Sequence, residues 1–207
     1  MNYFAKLKAG CIYVRRKIFL SAQRHRLQNK QICLVSSNCN GAMILHDLGQ
    51  RLNSPFVNLW IKPQDYIKML RSLNEYMSAE LKFVKEDEIS YPVGQLKDIR
   101  IYFQHYNSEE EAKEKWNDRV SRMDFDHLFI LFTDRDGCTD EDLINFDKLP
   151  YEHKAVFVNR PRPELKSAVY ISGFENEESV GMCMDFRKDC FYKRYYDEFD
   201  YVRWFNS

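Results

Sequence analysis

Three groups of residues in this chain have the types and spacing to do chemistry. The first is centred on Cys39, in the string Ser36-Ser37-Asn38-Cys39-Asn40-Gly41, which follows the apolar run Ile32-Cys33-Leu34-Val35. A short run closed by small polar residues, with Met43, Ile44 and Leu48 following at helical spacing, reads as strand, turn and helix. A thiol at such a turn meets the unpaired N–H groups and positive dipole end of the helix, which lowers its pKa and makes it nucleophilic. Asn38, Asn40 and Gly41 would then supply oxyanion or substrate contacts beside it. The alternative is that Cys39 is a small buried residue that permits tight packing. The second group is Asp134 and Asp136, after the strand-like run 128–132. Either acid suits orienting a catalytic histidine, the two together suit a divalent cation, and both suit capping the next helix. Arg135, between them, is a candidate substrate contact. The third is His105, just past Ile101-Tyr102-Phe103, placed to take a proton from a thiol or an incoming hydroxyl. A histidine satisfied by backbone groups at a strand end is the competing reading. His46 faces the same choice, whereas His127 and His153 read as loop residues.

The elements that must position these groups alternate along the chain. Strands are predicted at 31–36, 56–61, 99–103, 128–133, 155–159 and 168–171, and helices at 41–52, 63–78, 108–123, 140–146 and 188–198. Pro63 suits a first helical turn, and Ser108-Glu109-Glu110-Glu111 and Thr139-Asp140-Glu141-Asp142 are capping signals. Strands separated by helices imply right-handed βαβ units. The expected fold is therefore α/β, a three-layer sandwich with a mainly parallel central sheet and helices on both faces. Its carboxyl edge is where such sheets place their chemistry, and there Cys39, His105 and Asp134 would converge. The stretch 80–97, with the turn Tyr91-Pro92-Val93-Gly94, allows a small antiparallel excursion, and 173–189 reads as a surface loop.

Zero net charge conceals an asymmetry. Residues 1–30 carry eight Lys and Arg and no Asp or Glu, so a +8 arm is balanced by −8 in the other 177 residues. Within the arm Phe4, Leu7, Cys11, Val14 and Ile18 step by three and four, which predicts a basic amphipathic helix. Such a helix suits either an anionic membrane surface or docking on its own domain or a second subunit. A single helix on an acidic body is a poor nucleic-acid footprint. The division expected is a basic arm at 1–30 and one α/β domain at 31–207. Six cysteines without a CxxC pair give neither a zinc site nor a disulfide framework, pointing to a reducing cytoplasm. No apolar run has the length to cross a bilayer, and no signal peptide is visible.

The strings Ser36-Ser37-Asn38-Cys39-Asn40-Gly41 and Leu52-Asn53-Ser54-Pro55-Phe56-Val57-Asn58-Leu59 resemble a bacterial family of unknown function. Its members are often labelled exopolysaccharide biosynthesis proteins. His105-Tyr106, Trp116-Asn117-Asp118-Arg119, Thr133-Asp134-Arg135-Asp136-Gly137-Cys138, Phe146-Asp147-Lys148-Leu149-Pro150 and Phe199-Asp200-Tyr201-Val202-Arg203-Trp204-Phe205-Asn206 extend the resemblance over residues 30–207. The family often has Trp after the cysteine, where this chain has Asn40. The resemblance implies a role near capsule or exopolysaccharide assembly, on a saccharide or lipid-linked saccharide. Asn38-Cys39 is also similar to the opening of a capsular-polysaccharide acetyltransferase family with a coenzyme A site, and to Gly-Asp-Ser-Leu esterases. That likeness implies acyl transfer from a coenzyme A thioester, or ester cleavage, through Cys39. Asp134-Arg135-Asp136 resembles instead the Asp-x-Asp motif of glycosyltransferases, which implies a sugar nucleotide and a divalent metal. A non-catalytic saccharide-binding or scaffold protein is the third reading; its candidate contact surfaces are the basic arm and the aromatic, basic tail 191–196.

Overall fold

The computed structural model describes residues 3–207, with side chains in the first helix described at residue 10 and from residue 12 on. The elements in chain order are α1 (Tyr3–Arg26), β1 (Cys33–Ser36), α2 (Asn40–Leu48), α3 (Pro63–Arg71), α4 (Leu73–Met77), β2 (Leu81–Val84), β3 (Val93–Leu96), β4 (Ile99–Tyr102), α5 (Glu109–Val120), β5 (Leu128–Thr133), α6 (Asp140–Asp147), β6 (Lys154–Val158), β7 (Ala168–Tyr170), a 3-10 turn (Tyr195–Glu198) and α7 (Tyr201–Phe205). Four strands form a parallel sheet in the order β1-β5-β6-β7, and three form an antiparallel sheet in the order β2-β3-β4.

Alternation along the parallel strands sends successive side chains to opposite faces, and both faces are buried. Val35, Ile130, Phe132, Val156 and Val158 join a core with Tyr66, Leu70, Trp116 and Phe146 from α3, α5 and α6, and with Leu96 and Ile101 of the small sheet. Leu34, Phe129, Leu131, Ala155 and Phe157 face the second core, filled by Ile44, Leu45 and Leu48 of α2 and by Tyr196, Val202 and Phe205 near the carboxyl terminus. The expected α/β layering is therefore present, with the first helix in place.

Three expectations are corrected. The 56–61 run forms no strand: Asn58 adopts a left-handed φ of 59°, and only Trp60 makes a bridge, to Tyr102. The strand expected at 99–103 exists as β4, but it lies in the antiparallel sheet, so the position following it is not on the parallel sheet's carboxyl edge. Most of 188–198 is not helical, because the amides of Arg187, Tyr195 and Tyr196 bond the carbonyls of Lys193, Asp185 and Cys183.

Helix α1 is fixed to the body by buried charge. Arg16, only 7% exposed, pairs with Asp47 of α2 and with Asp197, and its guanidinium also reaches the Tyr192 carbonyl at 3.2 Å. Tyr196 donates to Asp47, and Tyr201 donates to Asp197 at 2.9 Å. Burial alone would lower the Arg16 pKa; the facing carboxylates Asp197 and Asp47 outweigh it and hold the pKa above its ordinary value. Of the predicted apolar stripe, which suited either a membrane surface or docking, Val14 is 54% and Ile18 is 65% exposed, so these two do not dock on the body of the chain. Phe4, Leu7 and Cys11 of that stripe lie outside the described residues. Replacing Arg16 by Ala leaves buried Asp197 without its cation and Asp47 with only the more distant Arg194, 3.7 Å away, and is expected to cost about 3–5 kcal/mol in urea unfolding. A loss under ~1 kcal/mol, the range of exposed pairs, would mean that the cluster does not hold the helix.

Candidate functional site

At the carboxyl end of β1 the chain must turn sharply into α2, and small and polar residues make this turn. A Cβ at Gly41 would lie 2.6 Å from the Ser36 Cβ, so only glycine lets α2 pack this closely on β1. The helix-start amides are satisfied locally: Asn40 N–H donates to Asn38 Oδ1 at 3.2 Å, and Gly41 N–H to Ser36 Oγ at 3.3 Å. Asn38 Nδ2 donates in turn to Thr133 Oγ1 at 2.9 Å, tying the ends of β1 and β5 together. The groups expected to form an oxyanion hole are thus engaged in building the turn.

The opposite wall comes from the junction of the two sheets. Ile61 N–H donates to the Ser37 carbonyl at 3.0 Å, and Trp60 exchanges two backbone hydrogen bonds with Tyr102 of β4, at 3.0 and 2.9 Å. The Trp60 ring stacks on Tyr102 with centroids 4.1 Å apart and planes 11° from parallel. Between these walls is a pocket of about 130 Å3 lined by Asn38, Cys39, Asn40, Leu59, Trp60, Gln104, Arg135, Asp136, Met182 and Met184. The Asn40 side chain is buried, 3% exposed, and its Oδ1 has no hydrogen-bond partner among the described residues. A buried acceptor without a partner carries a desolvation cost.

Cys39 precedes α2 and its Sγ lies 3.9 Å from the Leu59 carbonyl. Burial pushes its thiol up, outweighing the hydrogen bonds from the backbone at Leu59 and Asn58. Burial thus opposes the activation expected from the helix end. Near it is a pair that the sequence shows only within the resemblance strings, with no chemical role assigned. Tyr106 donates to the Val57 carbonyl at 2.9 Å and accepts from Arg119 Nη1 at 2.5 Å. Burial raises the Tyr106 phenol, Arg119 opposes this, and a Cys39 thiolate would raise it further.

The other expected site residues separate. Asp134 does not line the pocket: its Oδ1 accepts from Val180 N–H at 2.7 Å and its Oδ2 from Asn159 N–H at 2.9 Å. Burial raises its pKa against these bonds. Asp136 does face the pocket, on an exposed turn with φ 61°, followed by Gly137 at 82°. Arg135 Nη1 reaches the Gly181 carbonyl at 3.3 Å and Met182 Sδ at 3.1 Å, fastening the 181–184 wall. His105 is exposed, with its ring 3.2 Å from the Gln104 amide; Gln104 lines the pocket and His105 does not. Trp60 lay hidden in a run that reads as a strand, and Met182 and Met184 in a stretch that reads as loop. The alternation Met182-Cys183-Met184, with Cys183 fully buried, is the period-two signal that marks them as a wall.

The profile of the family described as a domain of unknown function, DUF1919, matches residues 12–206. The chain belongs to the DUF1919 family. A relative from Haemophilus influenzae, described as an uncharacterized protein, is 48% identical over 207 residues, spanning 100% of this chain and 99% of its own length. This DUF1919 protein thus shares its whole length with that relative, the segments that build the pocket included.

The raised thiol pKa has a direct consequence. At any pH below that pKa the thiolate fraction of Cys39 is smaller than that of a free cysteine. Iodoacetamide is expected to modify Cys39 more slowly than a free cysteine at pH 8, with the rate still climbing above pH 9. Peptide mass spectrometry follows it. Labelling faster than the free thiol at pH 7 would show instead an activated cysteine.

Proposed function

We propose that this DUF1919 protein binds a saccharide at the Cys39–Trp60 pocket and serves the assembly of a cell-surface polysaccharide. The observation that carries this reading is the pairing of an immobilised aromatic face with a buried amide acceptor. A sugar ring presents C–H groups on its faces and hydroxyls at its edge. The indole of Trp60, held by Tyr102, suits the former; Asn40 Oδ1, Gln104, Arg135 and Asp136 suit the latter. The exopolysaccharide context rests on the motif resemblance. The pocket is smaller than the roughly 300–1,000 Å3 common for drug-sized ligands, so it would enclose one ring while the rest of a longer chain lies across the surface.

A second reading is acyl transfer, favoured by the position of Cys39 in the same pocket. The thiol would attack the carbonyl of a thioester such as acetyl-coenzyme A and release the donor thiol. The acyl group would then pass to a sugar hydroxyl, whose proton returns to the system as Cys39 is regenerated. The resting thiol must lose its proton first, and Tyr106 with Arg119 are the ionisable groups beside it. The metal-dependent glycosyltransferase reading draws less support, because Asp134 spends both oxygens on backbone amides and Asp136 alone faces the pocket.

A thermal-shift panel of neutral and acidic saccharides, coenzyme A, acetyl-coenzyme A, and sugar nucleotides with and without manganese tests these readings. A saccharide at ~100 times its Kd is expected to stabilise the protein by about 2.7 kcal/mol. The increment should vanish in Trp60→Ala and persist in Cys39→Ser. No saccharide response, or an increment that survives Trp60→Ala, would overturn the proposal. A coenzyme A response lost in Cys39→Ala would select acyl transfer, and a manganese-dependent sugar-nucleotide response lost in Asp136→Asn would select the glycosyltransferase.

A further inference from the structure

Helix α1 docks on the body by one face and leaves the opposite one open. The docked face holds Arg16, which is buried, and Phe19 and Gln23, which are partly buried. Arg24 Nε also reaches the Asp47 carbonyl at 2.8 Å. The outward face carries Tyr13, Val14 and Ile18, at 59, 54 and 65% exposed. Arg15 and Lys17 are exposed beside them, and Lys17 Nζ sits over the Tyr13 ring, 4.4 Å from its centroid. Large apolar side chains left in water at helical spacing, flanked by cations and no acid, have the chemistry of an interfacial helix.

We infer that the outward face of α1 lies on an anionic lipid surface, with Tyr13, Val14 and Ile18 entering the headgroup boundary and Arg15 and Lys17 meeting phosphate. The charge decides the occupant. Residues 1–30 hold eight Lys and Arg and no Asp or Glu; Arg16 and Arg26 are paired with acids of the body, while Arg15 and Lys17 on the outward side are exposed, so an anionic surface is complementary to that side. A second copy packed two-fold on this face would set the same cations against each other, which is costly. No helix among the described residues is long and apolar enough to cross a membrane, so α1 lies on the surface and does not span it. The buried Arg16 makes the contact rigid with the rest of the molecule. The chain of contacts runs from Arg16 through Asp47 and Arg194 to the carbonyl of Met184, a pocket wall residue. Membrane attachment would thereby hold the pocket at a fixed relation to the lipid surface, as a lipid-linked saccharide would require. That last consequence rests on the saccharide reading; the lipid contact itself does not.

The test is flotation of the full chain with vesicles of phosphatidylcholine alone and of phosphatidylcholine with phosphatidylglycerol, over a salt series. Binding is expected to the anionic vesicles only and to weaken as salt rises. Val14→Ser with Ile18→Ser, and separately Arg15→Glu with Lys17→Glu, should each weaken it at least about tenfold. These side chains are exposed, so melting temperatures should stay at the wild-type value and show that folding is intact. Failure to float with anionic vesicles, or flotation unchanged in both double variants, would overturn the inference. So would a dimer by light scattering that Val14→Ser with Ile18→Ser dissociates, which would assign the face to a second copy. None of these outcomes involves a soluble saccharide, so this result and the pocket's ligand response can fail separately.

Discussion

The buried guanidinium of Arg16 is the constraint on which the assembly of this molecule turns. It faces Asp47 on α2 and Asp197 near the carboxyl terminus, residues far apart in the chain, and both phenols of the cluster, Tyr196 and Tyr201, complete the carboxylates' hydrogen bonding. Burial pushes both phenols up, and the carboxylates beside them add to it, so each stays a neutral donor. A buried ion pair is a poor source of net stability compared with apolar packing, but removing one partner is severe. Its effect here is geometric. The observed arrangement of α1, α2 and the 184–201 segment brings Arg16, Asp47, Asp197 and Arg194 to their partners. That arrangement frees the apolar side of α1 to face outward and fixes the segment bearing Met184.

The pocket follows from a second constraint, the joining of two sheets of different kind. Residues 59–61 bond the parallel sheet through Ser37 and the antiparallel sheet through Tyr102, so Trp60 is held where the two meet. Opposite it the β1–α2 turn uses Ser36, Asn38 and Gly41 to satisfy its own amides and to close on the strand. Cys39 and Asn40 remain in the pocket lining, with the buried Asn40 Oδ1 left without a hydrogen-bond partner among the described residues. Desolvation dominates the electrostatics of this corner and keeps Cys39 protonated, which is why the geometry speaks first for binding and only secondarily for nucleophilic chemistry.

Much of the parallel sheet was legible because its strands are buried on both sides and read as unbroken apolar runs; 128–133 is the clearest, matching β5 residue for residue. The capping signals at Ser108 and Thr139 mark α5 and α6 because their side chains do accept from Glu111 and Asp142 amides. Strand existence at 99–102 was legible, but not its sheet. That choice is made by the tight turn at Lys97, φ 55°, which sends β4 back along β3, and the segment following β4 puts Gln104 in the pocket lining and leaves His105 exposed beside it. The 63–78 helix divides at Ser72, whose φ and ψ of −143° and 47° leave the helical region without any proline or glycine to announce it. In the site, Cys39, Asn38, Asn40, Gly41, Arg135 and Asp136 were found at or beside the pocket. Asp134 was misread because an acid at a strand end gives no sign of which amides it will bind. Trp60, Gln104 and the methionines arrive from segments whose placement depends on tertiary contacts alone.

Protection of Cys39 tests the central claim most directly, because it reports occupancy at one atom of the pocket. The iodoacetamide rate at Cys39 would be measured with and without a saccharide that stabilises the protein, with Cys190 as the internal reference outside the pocket lining. The account predicts that the saccharide slows Cys39 several-fold and leaves Cys190 unchanged. A saccharide that stabilises the protein yet leaves the Cys39 rate untouched would bind elsewhere, and would contradict the assignment of this pocket.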